Sequence, residues 1–157
     1  MYKTGMCRPG HAVGVDNETK PVRFDTKIAV LLRDDLLAWQ ELNVTAFLVS
    51  GIASAMPELI GEPYQDADGN GYLPMFRQPV VVLSGAKEVL VAAHAKALAR
   101  GMVISVFTSD LFSTGHDAAN RAAVRAVPAS GLDLVGIAMH GQRNAVDKLV
   151  KGARMHP

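Results

Sequence analysis

Three short apolar runs, separated by stretches of helical periodicity, constrain the fold of this chain most strongly. They lie at 28–32 (IAVLL), 79–83 (PVVVL) and 103–107 (VISVF). Continuous apolar runs of this length are typical of strands that are buried on both faces. After the first run, Val44, Leu48 and Ile52 recur four residues apart, which predicts a helix over 37–56. After the second run, Ser84 is a candidate N-cap for another helix with an apolar stripe.

This order of strands and helices requires right-handed crossovers and a parallel core. A fourth apolar run, 132–139, follows only one short helical segment, 117–125, so it could return antiparallel to the others. We therefore predict an α/β fold of three layers, α/β/α, with a mixed, mostly parallel four-stranded sheet. The length of 157 residues fits one domain over 1–157, with an irregular N-terminal arm at 1–24 and an α/β core at 25–152.

Composition narrows the classes of protein to which the chain could belong. Its net charge of +1 does not favour a nucleic-acid partner, because non-specific binding to nucleic acid usually requires a strongly basic domain. A single cysteine, Cys7, cannot form an intrachain disulfide, which favours a cytoplasmic location. Polar residues interrupt the apolar stretch 36–56, so no membrane span is expected. No glycine-rich nucleotide-binding motif occurs, and we predict no cofactor.

Polar residues follow two of the predicted strands directly. Arg33 and Asp35 follow the first strand, and Asp110, Thr114 and His116 follow the third. Ligands of open α/β sheets bind beyond the carboxyl ends of the parallel strands. We therefore expect all five side chains to line one pocket. In this hypothesis Asp110, Thr114 and His116 are the catalytic candidates, while Arg33 and Asp35 bind the substrate.

Each of these residues also has a purely structural interpretation. Arg33 and Asp35 could form a solvent-exposed ion pair of little energetic consequence. Thr114 and Asp117 have the spacing of a capping box at the start of a helix. A helix N-terminus beside a strand end is nevertheless a ready anion site. His116 would lie at its lip, with Asn120 one turn later as a further binding candidate.

A metal site is not predicted. The segment 66–71 (DADGNG) has the first oxygen ligands of a calcium-binding loop, but Arg77 stands where the bidentate glutamate would be needed. A turn within a hairpin or loop over 64–79 explains these residues better. The five histidines show no metal-ligand spacing. His140 would lie at the opposite edge of the sheet if the fourth strand is antiparallel.

Three segments together resemble the type II peptidyl-tRNA hydrolases, and more closely their bacterial relatives of undefined function. They are KIAVLLRDDL at 27–36, GMVISVF at 101–107 with Asp110 and Thr114 after it, and LVGIAMHGQRNAVDKLVKG at 134–152. The resemblance implies the three-layer α/β/α fold of that family, a cleft with Arg33 and Asp35 at its rim, and a homodimer.

Asn43 stands where that family has a functional lysine, and no lysine occurs between Lys27 and Lys87. We therefore expect no efficient peptidyl-tRNA hydrolysis. The favoured hypothesis is a diverged domain that binds or acts on a small polar ligand, with Asn43 among the ligand-binding residues.

Two alternatives remain open. In one, the chain is a hydrolase acting on an ester or amide linked to RNA, with Asp110 and a water molecule as the reacting groups. In the other, it is a non-enzymatic dimeric module whose working surface is the helix 37–56. That helix carries a single charge, Glu41, and a helix that is apolar nearly all round must be buried on more than one side. We therefore predict a homodimer. Whether the chain is an enzyme stays open, although a hydrolase is the class expected if it is one.

Overall fold

The computed structural model describes residues 22–157, so most of the arm predicted at 1–24 lies outside the described residues. The described strands and helices, in chain order, are β1 (Thr26–Arg33), α1 (Ala38–Ala55), β2 (Tyr64–Gln65), β3 (Gly71–Tyr72), β4 (Val80–Gly85), α2 (Lys87–Ala99), β5 (Ile104–Thr108), α3 (Asp117–Arg125), β6 (Leu134–Gln142), α4 (Arg143–Leu149) and β7 (Arg154–Met155). Three short 3-10 turns cover Pro57–Leu59, Ser109–Ser113 and Ala129–Gly131.

The main sheet has the order β5-β6-β1-β4-β7. Strands β1 and β4 are parallel, whereas each of the other three neighbouring pairs is antiparallel. The mixed α/β fold is therefore as predicted, but the sheet has five strands rather than four, and only one pair is parallel. Strands β1 and β5 do not form a second parallel pair because β6 inserts between them. The two-residue strand β7 is too short to leave a pattern in the sequence.

Successive residues of β1 point to opposite faces of the sheet and enter two separate apolar clusters. Ile28, Val30 and Leu32 pack with the buried side of α1. Ala29 and Leu31 pack with α2 and α4. The continuous apolar run in β1 is explained by this burial on both faces.

Helix α1 packs directly against the sheet at Gly136. Its residues Val44, Leu48 and Ile52 are buried, as their spacing predicts. Opposite them stands Gly136 of β6, where an added Cβ would lie 2.5 Å from Val44 Cγ1 and 2.9 Å from Leu48 Cδ1. The glycine thus leaves the space that α1 occupies, and its position determines where α1 stands over β6.

The start of helix α2 differs from the sequence expectation. Helix α2 has Ala86 rather than Ser84 at its N-cap, and it ends before Gly101, whose φ is +62°. Helix α4 begins at Arg143. Its Asp147 forms an ion pair with Lys27 of β1, which ties the helix to the sheet.

The excursion between α1 and β4 contains the small hairpin β2–β3. Asp66 closes its turn by accepting hydrogen bonds from the Asn70 side chain at 2.8 Å, from Tyr72 Oη at 2.7 Å and from two backbone N–H groups. These bonds, those of Asn70 first, lower the pKa of Asp66 to about 2. Within residues 22–157, no three His, Cys, Asp or Glu side chains come together in a group that could hold a metal ion.

His140 pairs with Ile28 near the start of β1, whereas Arg33 stands at the other end of that strand. The prediction that an antiparallel fourth strand places His140 at the opposite edge is confirmed. Across the described part of the chain, every helix is too short or too polar to cross a bilayer.

Candidate functional site

A network of charged side chains occupies the edge where β1 ends; we call it the strand-end network. Arg33, the last residue of β1, donates from Nε to Asp35 Oδ1 at 2.6 Å and from Nη1 to Asp133 Oδ1 at 2.9 Å. Asp133 stands directly before β6, which starts at this edge because it is antiparallel to β1. Asp133 also pairs with Lys87 Nζ at 2.8 Å and accepts from Ser109 Oγ at 2.6 Å.

The charges of this network are satisfied mainly by one another. Lys87 first, then Ser109 and the charge of Arg33, lower the pKa of Asp133 to about 2. Partial burial opposes the charged form of Arg33, but the carboxylates of Asp35 and Asp133 outweigh it and raise the Arg33 pKa. The concavity here measures about 240 Å³ and is lined by Arg33, Asp34, Asp35, Lys87 and Asp133. Its lining has two cations and three carboxylates, and the carboxylate of Asp34 pairs with Arg154, so each of these charges has a partner.

A second and larger concavity lies between α1 and the segment 107–120; we call it the aromatic cleft. Its volume is about 420 Å³. Four aromatic side chains line it: Trp39, Phe47, Phe107 and Phe112. Trp39 and Phe47 each meet a partner ring edge to face, with centroids 5.7 Å apart for Trp39–Phe112 and 5.8 Å for Phe47–Phe107. This geometry is the favourable one for aromatic pairs, so the apolar wall is ordered before any ligand enters.

Polar side chains line the rest of the aromatic cleft. They include Asn43 from α1 and Thr114, His116, Asp117 and Asn120 from the segment before and within α3. Thr114 Oγ1 is hydrogen-bonded to the Leu111 carbonyl at 2.9 Å and also contacts the side-chain oxygen of Asn120. Because Thr114 has one hydroxyl proton for these two contacts, only one polar atom of the Asn120 amide is engaged by it, and the other has no partner among residues 22–157. A bound molecule could therefore form a hydrogen bond with that atom.

His116, not Thr114, is the N-cap of α3. Its Nδ1 accepts a hydrogen bond from the Ala119 backbone N–H at 3.3 Å. The capping box expected from Thr114 and Asp117 is therefore absent, because the helix starts two residues later than that pattern requires. Since Nδ1 acts as the acceptor, the ring proton of the neutral imidazole resides on Nε2. His116 is exposed and lines the cleft, so Nε2–H is available as a donor there.

The structure divides the expected site residues between two places. Asn43, Thr114, His116 and Asn120 line the aromatic cleft, whereas Arg33 and Asp35 belong to the strand-end network. Asp110 lines neither. It is exposed in the turn Ser109–Ser113 and makes no side-chain hydrogen bond or ion pair with another described residue.

The single pocket expected for Asp110, Thr114 and Arg33 is therefore not formed. The physical reason is the position of β6, which separates the ends of β1 and β5. The catalytic roles of Asp110, Thr114 and His116 stay predictions.

Asp133 and the aromatic side chains of the cleft were not expected at a site. The signal for Asp133 is its position. An antiparallel strand begins at the edge of the sheet where the parallel strands end, so the residue directly before it lies at that edge. Trp39 and Phe47 are eight residues apart on α1, and this spacing is also that of core residues. Only the tertiary structure separates the two interpretations.

Comparison with known proteins corrects one expectation. The family model described as "Protein of unknown function (DUF2000)" matches residues 26–157. A solved structure of a protein of unknown function, Atu0240 from Agrobacterium tumefaciens str. C58, is 48% identical to this chain. It superposes with a TM-score of 0.84, and the match covers 86% of this chain and 100% of that one. No curated protein matches.

The resemblance to type II peptidyl-tRNA hydrolases is therefore wrong, because the family that matches is a different one. The segments that suggested it were an apolar strand ending in charges, a polar turn and a final strand–helix unit. Each of these follows from packing a strand in an α/β sheet, so none is specific to a family.

Proposed function

We propose that this chain, which belongs to the family of proteins of unknown function (DUF2000), binds a small polar molecule with a flat apolar part in the aromatic cleft. The family description assigns no activity. The observation that carries this proposal is the combination of four ordered aromatic side chains with amide, hydroxyl and imidazole groups around one opening. Binding sites for small molecules are mostly apolar, with a few polar groups that fix the orientation of the ligand.

The aromatic cleft is a better candidate than the strand-end network for two reasons. Its volume of about 420 Å³ lies within the range of ligand pockets, roughly 300–1,000 Å³, whereas the network encloses about 240 Å³. An anion binding to Arg33 or Lys87 would also have to displace Asp133, which each of them contacts within 3 Å. The cleft offers aromatic faces and the Asn120 amide without such competition.

The charges around the aromatic cleft favour a neutral or cationic ligand. Its lining includes Asp117 but neither lysine nor arginine, and Asp117 pairs with Arg121 one turn later. Recognition of phosphate normally requires cations or free backbone N–H groups. The hypothesis of a hydrolase for RNA-linked esters therefore has less support. Because exposed Asp110 lies outside the cleft, the proposal is one of binding rather than hydrolysis.

A second proposal is that the protein forms a homodimer and works as an interaction module. It is favoured by apolar side chains of α1 that are exposed in the single chain, among them Leu42 at 74% and Trp39 at 57%. The two proposals are compatible, because a dimer could form beside the aromatic cleft. The expected three-layer α/β/α arrangement is likewise supported by the two apolar clusters on opposite faces of β1.

The ligand proposal can be tested with two probes of the same shape and different charge. Benzamide and benzoate would each be titrated into the ¹⁵N-labelled protein and followed by NMR. We expect benzamide to bind at millimolar concentration and to shift the backbone resonances of Phe112, Thr114 and Asn120, while benzoate binds at least several-fold more weakly.

Asn120→Ala should weaken benzamide binding several-fold, because it removes the free polar atom of the side-chain amide. Lys87→Ala, in the strand-end network, is the matched control and should leave binding unchanged. Shifts confined to residues around Lys87 and Arg33, or no shifts with either probe, would contradict the proposal.

A further inference from the structure

A third concavity lies at the edge of the main sheet opposite the strand-end network; we call it the arginine pocket. Strands β1 and β4 are parallel and both begin at this edge, and β6, which is antiparallel to β1, ends there. The volume of the pocket is about 530 Å³, which lies within the range of roughly 300–1,000 Å³ for ligand sites. Among the described residues, its lining has no carboxylate and three cations: Arg23, Lys27 and Arg143.

Two of these three cations have no carboxylate partner in the described part of the chain. Lys27 forms an ion pair with Asp147 of α4. Neither Arg23 nor Arg143 takes part in an ion pair with another residue of 22–157. The nearby carboxylate of Asp25 lines an adjoining concavity of about 290 Å³ rather than the arginine pocket. Two positive charges of the described lining therefore remain uncompensated.

Arg143 is fixed in place by backbone contacts, yet most of its guanidinium lacks an acceptor. Its backbone N–H donates to the Asp25 carbonyl at 3.0 Å, and its Nη2 donates to the Phe24 carbonyl at 3.1 Å. Its Nε is buried and has no hydrogen-bond partner among residues 22–157. A buried N–H group without an acceptor is costly. The planar fork of arginine normally pairs with a carboxylate or a phosphate, and the described chain supplies neither here.

A buried side-chain amide in the same lining also lacks an acceptor. Gln78 is only 7% exposed and lines the arginine pocket. Its Oε1 accepts a hydrogen bond from the Thr26 hydroxyl at 3.1 Å, so its Nε2 group is the half of the amide without a partner among residues 22–157. Buried polar side chains normally have their hydrogen bonds satisfied. Arg143 and Gln78 thus lack the same kind of partner, a hydrogen-bond acceptor.

Apolar side chains complete the lining of the arginine pocket: Val22, Phe24, Pro79 and Val81. An inorganic anion would meet the arginines and leave these side chains in contact with water. An anion with an apolar body would also cover them, and removing that apolar surface from water is favourable. The combination of a few polar groups with an apolar wall is the usual composition of a small-molecule site.

We propose that the arginine pocket binds a small organic carboxylate. Its charged group meets Arg23 and Arg143, and its apolar body lies along Pro79 and Val81. A carboxylate can accept two parallel hydrogen bonds from one guanidinium, and the Gln78 amide is a further donor. The arginine pocket is separate from the aromatic cleft, which has neither lysine nor arginine in its described lining. The inference therefore does not depend on the function proposed for the cleft.

The proposal is tested by titrating hexanoate and hexanamide separately into the ¹⁵N-labelled full chain and recording NMR spectra. We expect hexanoate to bind at millimolar concentration and to shift the backbone resonances of Thr26, Gln78 and Arg143. Hexanamide lacks the charge, and inorganic phosphate lacks the apolar body, so each should bind at least several-fold more weakly. Benzoate is also a carboxylate and should shift these resonances rather than those of Phe112 and Asn120, so the spectra report the two sites separately.

Substitutions of arginine assign the binding to the pocket. Arg23→Gln should weaken hexanoate binding several-fold and keep the circular dichroism spectrum, because Arg23 is exposed. Arg143→Lys keeps the charge but not the planar fork, and it should also weaken binding several-fold. Because Arg143 also holds the Phe24 carbonyl, Arg23→Gln keeps the test decisive if Arg143→Lys unfolds. Arg125→Gln removes an exposed arginine at the end of α3, and this matched control should bind hexanoate unchanged.

The carboxylates that precede the described residues are tested as alternative occupants. Asp16 and Glu18 are the acids of that segment. Asp16→Asn combined with Glu18→Gln should leave hexanoate binding unchanged. A several-fold gain in affinity in this variant would show that the chain itself fills the arginine pocket, and it would overturn the proposal.

Three further results would overturn the proposal. They are the absence of shifts at Thr26, Gln78 and Arg143, equal binding of hexanamide or phosphate and hexanoate, and hexanoate binding that survives both Arg23→Gln and a folded Arg143→Lys. None of these results bears on the aromatic cleft, which the benzamide titration measures separately.

Discussion

The strand-end network and the aromatic cleft lie side by side and use their polar groups in opposite ways. In the network, Arg33 and Lys87 both contact Asp133 within 3 Å, and each charge has its partner in the chain. In the cleft, the side-chain amide of Asn120 retains one polar atom without a partner among residues 22–157, beside four aromatic side chains. The difference teaches that a concentration of charge in the sequence need not mark a binding site. The capacity to bind remains where polar groups are left without partners.

The largest expected effect comes from displacing α1, which forms one wall of the aromatic cleft, while leaving the network intact. In Gly136→Val, the new Cβ would lie 2.5 Å from Val44 Cγ1, and neither the β-branched Val44 nor the sheet can easily yield. We expect α1 to shift outward, with a loss of about 1–3 kcal/mol in the free energy of unfolding and several-fold weaker benzamide binding. Urea denaturation and the NMR titration measure the two effects.

Gly71→Val in the hairpin is the matched control for Gly136→Val. A Cβ at Gly71 meets no atom within 4 Å, so both stability and binding should stay near those of the unmodified protein. If Gly136→Val destabilised the protein no more than this control, the close approach of α1 to β6 would not determine the shape of the cleft.

A smaller effect is expected when the network is broken and the cleft is left alone. Asp133→Asn keeps the shape of the side chain but removes the charge that Arg33 and Lys87 share. We expect a loss of about 1–2 kcal/mol in the free energy of unfolding, because the carboxylate is 39% exposed and solvent screens part of its interactions. Benzamide binding should not change. Loss of binding in a stably folded variant would mean that the two regions are not separate.

Asp133→Asn also tests a prediction about the pH dependence of stability. The pKa of Asp133 is lowered from 3.8 to about 2, so its stabilising contribution is present above about pH 4 and is lost as the pH falls towards 2. The difference in unfolding free energy between the unmodified protein and Asp133→Asn should therefore shrink over that window. A difference that stayed constant between pH 5 and 2 would contradict the assignment of the network.

The smallest expected effect concerns the C-terminal segment 154–156, which contacts both regions. Arg154 of β7 pairs with Asp34 beside the network, and His156 pairs with Glu41 on α1, the wall of the cleft. Glu41 raises the pKa of His156 above its ordinary 6.5. The contribution of this pair is therefore complete below pH 6.5 and is lost as the pH rises through the raised value.

His156→Gln should remove this pH dependence at a cost of about half a kcal/mol or less, since both side chains are partly exposed. Thermal unfolding of the two proteins at pH 5.5 and 8.5 measures it. An equal gap in Tm at both pH values would show that the pair does not titrate as described.

Elements with strong periodicity were predictable from the sequence. The run at 28–32 became the central strand, and the repeat of Val44, Leu48 and Ile52 became the buried side of α1. The antiparallel direction of β6 followed from its short connection to the preceding helix. Its place in the sheet did not, because pairing partners depend on tertiary packing that a local pattern does not encode.

The candidate site was predictable in part for the same reason. Thr114, His116 and Asn120 come from one continuous segment, so their proximity is local, and the structure brings them together. Arg33 ends β1, whereas Asp110 follows β5. The distance between them depends on the strand order, and β6 lies between those two strands. Aromatic residues such as Trp39 and Phe47 have the same pattern whether they fill a core or line a cleft. Their exposure became evident only in the folded chain.

A crystallographic fragment screen with neutral and anionic aromatic fragments tests most directly whether the cleft, and not the network, is the place of binding. Fragments should collect in the aromatic cleft, stacked against Phe47 or Phe112 and hydrogen-bonded to Asn120, with neutral ones outnumbering anionic ones. Fragments collected instead between Arg33 and Lys87, with the cleft empty in all data sets, would contradict the account.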